Sequence, residues 1–397
     1  MDLVEKLKKL SVFRVDSLSA EEVYFKTTRL IDLINLGAGN SNFIRKWDFL
    51  NLRFFQGINT LFLYLYCVYL TTSYYIDDME ELLFCVATFG ISIQCSAFIY
   101  LFVLRRGKIL DVHDLNVDYH KLKTVLDPKI QESLRSSSSI AYLAVVLTII
   151  VYNVMILIMT MMPVVYTIQT GHKALPYAFK MFFEDTWTSY TLNFLIQMNC
   201  QYYVSICTVT SNCTLIVLLL TAFGQIDAII TLFKQLNDMV QRPDIPHESL
   251  EKKLKEIIAL HQCHRNYLSN IVDVFDVYYL IVISSLCSCM AISLTAIVIV
   301  NWYVGVVFIC FSSAQIFYMC FLGAQLQMKS EDLALHVTQF EWYKLPVVHQ
   351  QSIMMVICAC QTPINLSAVF ETLNYEAYLK VHKGVYSIFM FLISSEQ

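Results

Sequence analysis

Charge is scarce in this chain, and so are the residues that build turns. Only 15% of its 397 residues are charged, and ten Gly and seven Pro serve the whole length. So few turn formers exclude a turn-rich β architecture. The apolar runs are also continuous, whereas strands of a membrane barrel would alternate. With 57% hydrophobic residues and a mean hydropathy of +0.55, several runs reach the ~20 residues that cross a bilayer. The fold class is therefore an all-α polytopic membrane protein. A net charge of −4 is too small to mark nucleic acid as a partner. Residues 1–16 carry charge throughout and no continuous apolar core, so the first span, not a cleaved signal peptide, is expected to direct insertion. Phosphate loops, dinucleotide fingerprints and zinc-protease motifs are missing, and the middle spans hold almost no ionisable side chain. Neither enzymatic chemistry nor a cofactor is expected.

Seven spans are predicted, at residues 54–76, 82–104, 140–162, 192–223, 275–300, 304–328 and 375–395. Lys6, Lys8, Lys9, Arg14, Lys26, Arg29, Arg45, Lys46 and Arg53 precede the first span, whereas the loop after it has Asp77, Asp78, Glu80 and Glu81 and no base. Bases return in the next loop (Arg105, Arg106, Lys108, Lys121, Lys123, Lys129, Arg135) and thin to Lys173 and Lys180 in the third. Lys252, Lys253, Lys255 and Arg265 then fill the fourth. Cytosolic loops retain the bases, so the amino terminus is expected in the cytosol and, after an odd number of spans, the carboxyl terminus outside. Residues 1–53 thus form a cytosolic segment, 54–328 the first six spans with cytosolic extensions at 224–274, 329–370 a set of cytosolic helices, and 371–397 the last span.

The thirteen cysteines lie almost entirely within spans, so they read as small apolar packing residues and not as disulfides. His261 and His264 are spaced i, i+3 but have no third ligand close in sequence, which favours a packed pair over a metal site. Cys358 and Cys360 fall on different sides of a helix. The serine run at 136–139 is expected as a helix cap or turn. Residues 224–239 continue the fourth span with helical periodicity until Pro243 and Pro246, and a new periodic run from His247 or Ser249 feeds the fifth. A third apolar stretch holds Trp342, Leu345, Ile353, Met354 and Met355. None of the three can bury its apolar face alone, so a bundle shared between subunits is expected, with Trp342, Leu345 and Ile353 as its anchors.

The last span is amphipathic. At about 100° per residue, Glu376, Lys380, Lys383, Ser387, Phe391 and Ser394 share a narrow sector, and Tyr378, Val381, Val385, Ile388, Phe389 and Leu392 lie opposite. A helix facing water inside a membrane has this pattern, with Ser387, Ser394 and Ser395 wetting a path that Phe391 narrows. The alternative is a terminal helix whose lysines snorkel to the interface.

The carboxyl third carries a family resemblance. The block Phe340-Glu341-Trp342-Tyr343-Lys344-Leu345-Pro346, then Gln361-Thr362-Pro363, then Phe370-Glu371-Thr372-Leu373-Asn374-Tyr375, then Val385-Tyr386-Ser387-Ile388-Phe389, in this order and spacing, resembles insect odorant receptors. The match is specific over the last sixty or so residues and topological elsewhere. The resemblance implies an odorant-tuned subunit that assembles with the odorant co-receptor in a tetrameric, ligand-gated, non-selective cation channel in the plasma membrane of olfactory sensory neurons. It further implies that the tryptophan-leucine-proline block opens a cytosolic helix and that the last span lines the pore. The co-receptor has a longer stretch between its fourth and fifth spans, whereas only about 50 residues separate Phe223 from Phe275 here.

The resemblance also places a ligand pocket in the outer half of the second, third, fourth and sixth spans. Positions at that depth are Phe84, Phe89, Tyr152, Met155, Met159, Met198, Tyr202 and Phe308, each also explicable as packing. Without buried charge such a pocket would take a neutral, lipophilic molecule, with Asn153, Gln197 and Asn199 as candidate hydrogen-bond partners. A self-assembling gustatory receptor relative is the second reading. A G-protein-coupled receptor is a distant third, disfavoured by orientation and by the lack of an Asp-Arg-Tyr motif after the third span.

Overall fold

The computed structural model describes residues 18–44, 51–75, 90, 93–122, 125, 127–177, 179, 182, 186–242, 246–299 and 305–394. Phe84, Phe89, Ser395 and the acidic run at 77–81 lie outside the described residues.

Two helices precede or interrupt the predicted spans. Helix α1 (Ala20–Asn35) starts in a capping box: Glu22 N–H donates to Ser19 Oγ at 3.3 Å, and Ser19 N–H donates to Glu22 Oε2 at 2.8 Å. The chain then turns through Gly39 (φ 73°). Buried Asp32 ties this turn down by accepting from Asn42 N–H at 2.7 Å and Phe43 N–H at 3.2 Å. Helix α2 (Leu52–Tyr74) is the first span, capped by Asn51. The described end of the second, Ile93–Leu104, closes in a π-helical turn, and α3 (Arg106–Lys121) follows.

The remaining spans belong to long rods. Helices α4 (Pro128–Thr170), α5 (Trp187–Val240), α6 (His247–Ile299) and α7 (Gly305–Gln339) hold 43, 54, 53 and 35 residues. At ~1.5 Å per residue, α5 and α6 each run about 80 Å, far beyond a ~30 Å hydrocarbon core. The predicted continuation of both spans past the bilayer is therefore seen as unbroken helix. With α2, these four make five described helices long and apolar enough to cross a membrane. A short 3-10 turn (Trp342–Lys344) leads into α8 (Val347–Gln361), which Pro346 precedes. A two-residue antiparallel pair, β1 (Ser367–Ala368) and β2 (Glu371–Thr372), reverses the chain into α9 (Tyr375–Ser394), the last expected span.

Helix α5 is the axis of the bundle. In its most apolar window 83% of residues are buried, against 17% in that of α4, and α1, α2, α4, α6 and α7 all pack on it. A helix that is apolar all round behaves this way, whereas α4 turns Val154, Leu157, Ile158, Met161 and Met162 outward as a lipid-facing stripe. The serine run expected as a cap or turn instead lies inside α4. Its physical role is closeness: a Cβ on Gly224 of α5 would come within 2.9 Å of the Ser137 Cβ, so small residues let the two backbones approach.

A second close approach seats the last helix. A Cβ on Gly323 of α7 would lie 2.0 Å from the Leu373 carbonyl oxygen, just before α9, whereas Gly384 within α9 has nothing within 4 Å. Gly323→Ala should therefore lower the stability of the detergent-purified protein by about 1–3 kcal/mol. Gly384→Ala should be neutral or stabilise by up to ~1 kcal/mol. Thermal melting checks both, and equal melting temperatures would mean that α9 is not seated on α7 as described.

Candidate functional site

The polar face of α9 is turned away from the bundle. Glu376, Lys380, Lys383, Ser387, Phe391 and Ser394 are all exposed, Phe391 at 69%, as the amphipathic pattern requires. On the opposite face Val385 is buried, and Tyr378, Val381, Phe389 and Leu392 are half-buried. Ile388, assigned to the packing face, is 47% exposed. Lys380 does not present a bare charge. Its Nζ pairs with Glu371 at 2.8 Å and with Glu376 at 3.1 Å. The hydroxyls of Ser387 and Ser394 donate back to the Lys383 and Phe391 carbonyls, so neither needs another partner in this arrangement.

Among the described residues, the pocket candidates differ in exposure and partners. Tyr152 is half-buried, with its hydroxyl accepting from Asn212 Nδ2 at 2.9 Å and its ring edge-on to Phe311. Met159, Met198 and Phe308 are half-buried, whereas Met155 and Tyr202 face outward at 36% and 58% exposure. Of the three expected amides, Asn199 donates to Thr60 Oγ1 at 3.0 Å and so joins α5 to α2. Gln197 accepts from the Tyr177 N–H at 2.8 Å, and Asn153 donates to Ile149 within its own helix. Asn212 of α5, absent from the expected set, is the residue that links three helices. Its side-chain Nδ2 donates to Tyr152 of α4, and its backbone carbonyl accepts from the Tyr318 hydroxyl of α7 at 3.4 Å. The cavity bounded by Thr60, Leu61, Tyr64, Cys95, Cys200, Tyr203 and Val204 is about 10 Å³, enough for a water and not for an odorant.

The expected anchors are occupied inside the chain. Ile353 and Leu345 are buried against the core of α5, α6 and α7, and Trp342 packs partly on it. The face of α8 left open is a different one: Val347, Val348, Met354 and Met355 are 55–73% exposed, and Cys358 on the same side is exposed. Arg265 of α6 holds the far end of α8 by donating through Nη1 to the carbonyls of Ala359 at 2.6 Å and Thr362 at 3.1 Å. These are the acceptors a helix leaves unpaired at its C-terminus.

His261 and His264 are packed residues with separate partners. His261 Nε2 sits 3.5 Å from the Cys360 thiol. His264 Nδ1 lies 3.1 Å from Gln225 Oε1, and Gln225 in turn donates to Asn116 Oδ1 at 3.3 Å. Since an amide oxygen can only accept, His264 Nδ1 carries the proton. Burial disfavours the charged rings and pushes His261 down to about 4, His264 to about 3 and buried His120 to about 4. Among the described residues no cluster of three or more such side chains could hold a metal ion.

Two comparisons give this architecture its class. By fold the chain is similar to the insect olfactory receptor OR5 from Machilis hrabei in complex with eugenol. The TM-score is 0.72 at 12% identity, over 94% of this chain and 99% of that one. It is also similar to a second structure of the insect olfactory receptor OR5 from Machilis hrabei, with a TM-score of 0.71 at 13% identity over 93% and 98% of the two chains. The seven-helix membrane fold follows from this likeness. The family model described as 7tm Odorant receptor matches residues 78–386, so the chain belongs to the 7tm odorant receptor family.

The three depressed histidines set a pH dependence. The unfolded chain takes up protons near pH 6.5 while the folded rings stay neutral until about pH 4. Stability is therefore complete above ~6.5 and falls as pH drops through that window. The melting temperature of the purified protein should decline from pH 7 to pH 4.5, and less steeply in His264→Gln. An identical slope in that variant would mean that the ring is already charged or solvated in the fold.

Proposed function

We propose that this odorant receptor is the odorant-tuned subunit of a heteromeric, ligand-gated, non-selective cation channel that senses a small, neutral, lipophilic molecule. The observation that carries the channel reading is the exposed polar stripe of α9, which turns Glu376, Lys380 and Lys383 away from the bundle on a helix whose other face is apolar. In a tetramer with the odorant co-receptor, four such faces meet around an axis. Ser387 and Ser394 wet the path, and Ser395 extends the same face in sequence. Phe391 narrows the path and excludes water when closed. Pairing of Lys380 with Glu371 and Glu376 supports this reading, because it offsets a positive charge that would repel permeating cations.

Orientation follows the distribution of basic residues, with the amino terminus, the outer turns of α5 and α6, and α8 in the cytosol and the end of α9 outside. The ligand enters from the outer half, where Tyr152, Met159, Met198 and Phe308 are half-buried and Asn212 supplies a polar contact. Phe84 and Phe89 belong to the same depth by sequence. Subunits meet through the open face of α8, with Leu345 and Ile353 fixing that helix from behind and Trp342 at its edge.

Recording currents from cells expressing the chain with and without the co-receptor, over an odorant panel, tests the whole reading. Odorant-evoked cation current should need both subunits. Phe391→Ala should raise ligand-independent current or alter ion permeability, whereas Leu392→Ala on the packed face should act on expression. The reverse pattern would mean that α9 turns another face to the ions.

Assembly has its own check. Met355→Glu should reduce co-purification of the co-receptor at unchanged surface level. Ile353→Ala should instead destabilise the chain itself, by about 2–5 kcal/mol. Full recovery of the complex with Met355→Glu would remove the open face of α8 from the interface.

A further inference from the structure

The packed side of α9 is apolar except at one place. Ser313 of α7 lies with its Oγ 2.9 Å from the Tyr378 hydroxyl and 2.9 Å from His382 Nε2, both on α9. His382 Nδ1 is 2.9 Å from the Tyr378 carbonyl oxygen. A carbonyl can only accept, so Nδ1 carries the proton and, in the neutral ring, Nε2 must accept from Ser313. The serine oxygen then has its lone pairs free for the Tyr378 hydroxyl. The three side chains thus form a chain with one self-consistent direction, from Tyr378 to Ser313 to His382 and back to the backbone of Tyr378.

The surroundings make this chain matter. The Tyr378 ring is held edge-on by Phe317 at 5.5 Å and lies 4.2 Å from the His382 ring, centroid to centroid. Neither α6 over residues 277–299 nor α7 over 305–328 carries a charged side chain, and the charges of α9, Glu376, Lys380 and Lys383, are on its exposed face. The three side chains are half-buried, so a broken bond leaves groups that water reaches only in part. Among the described residues, the side-chain hydrogen bonds that join α9 to another spanning helix both end on this one oxygen.

We propose that Ser313, Tyr378 and His382 form a latch between α7 and α9 that sets the resting rotation and position of the last helix. A shift of α7 by a fraction of a helical turn moves the serine oxygen out of reach of both partners at once, so α9 is either held or released. Apolar contact would instead give way gradually. This inference rests on the reading of α9 as the ion path, and it adds the positioning residues that tie that path to α7.

The test measures ligand-independent current per surface-exposed protein in cells that also express the co-receptor, and melting temperature in the purified chain. Ser313→Ala, which removes both bonds, and His382→Leu, which removes one, should each change the current by at least about threefold to tenfold in the same direction, the range expected for losing a single such bond. The double variant should go no further than the larger single one, and Ser313→Thr, which keeps the hydroxyl, should stay at wild type. Melting temperatures should be non-additive in the same way. Additive effects overturn the latch. So do non-additive melting temperatures with unmoved currents when Phe391→Ala does change the current, since the bonds would then be packing alone. A silent Phe391→Ala removes the ion path itself, and the latch with it.

Discussion

Everything in this molecule is arranged around the need to cover one helix. Helix α5 is 54 residues long and apolar or small on every side, so no orientation against a single neighbour would bury it. Its solution is to be surrounded, by α1, α2, α4, α6 and α7, and the crossing with α4 depends on Gly224 meeting Ser137. Polar groups buried along α5 are then a necessity to be met in place. Thr210, Ser211, Thr214 and Thr221 each return their hydroxyl to a carbonyl of the preceding turn, whereas Asn212 and Gln225 reach across to other helices.

Most of the architecture was legible in the sequence because a bilayer enforces length and polarity together. The first, third, fourth, fifth and sixth spans, the helical extension that follows the fourth to Val240, and the new helix from His247 were all written in hydrophobic periodicity. Two helices were not. Helix α1 holds its place through a capping box and through Asp32, local hydrogen bonding that an apolar-run criterion does not weigh, although Ser19-x-x-Glu22 was there to be read. Helix α3 is flanked by bases and was absorbed into a loop for that reason. The serines of α4 misled because Ser is a cap residue in water and a close-packing residue between membrane helices.

Site residues were legible only as far as one face of one helix determines them. On α9 the stripe assignment survives almost residue by residue, because its neighbours all lie on one side. Leu345 and Ile353 are buried within their own chain, and a sequence shows that a helix has an apolar face but not which of two it presents to its own chain. Met155 and Tyr202 share depth with Tyr152 but not direction, and a cavity depends on the mutual rotation of several helices, which no single span records.

Helices α5 and α6 are each unbroken over more than fifty residues, and six residues separate them in sequence. Long unbroken rods of this kind are mechanically levers. A tilt of about 5° at one end of an ~80 Å rod displaces the other by roughly 7 Å, more than the rise of one helical turn. A rigid tilt of either rod is thus magnified from one of its ends to the other. The gain in amplitude comes from helix length alone.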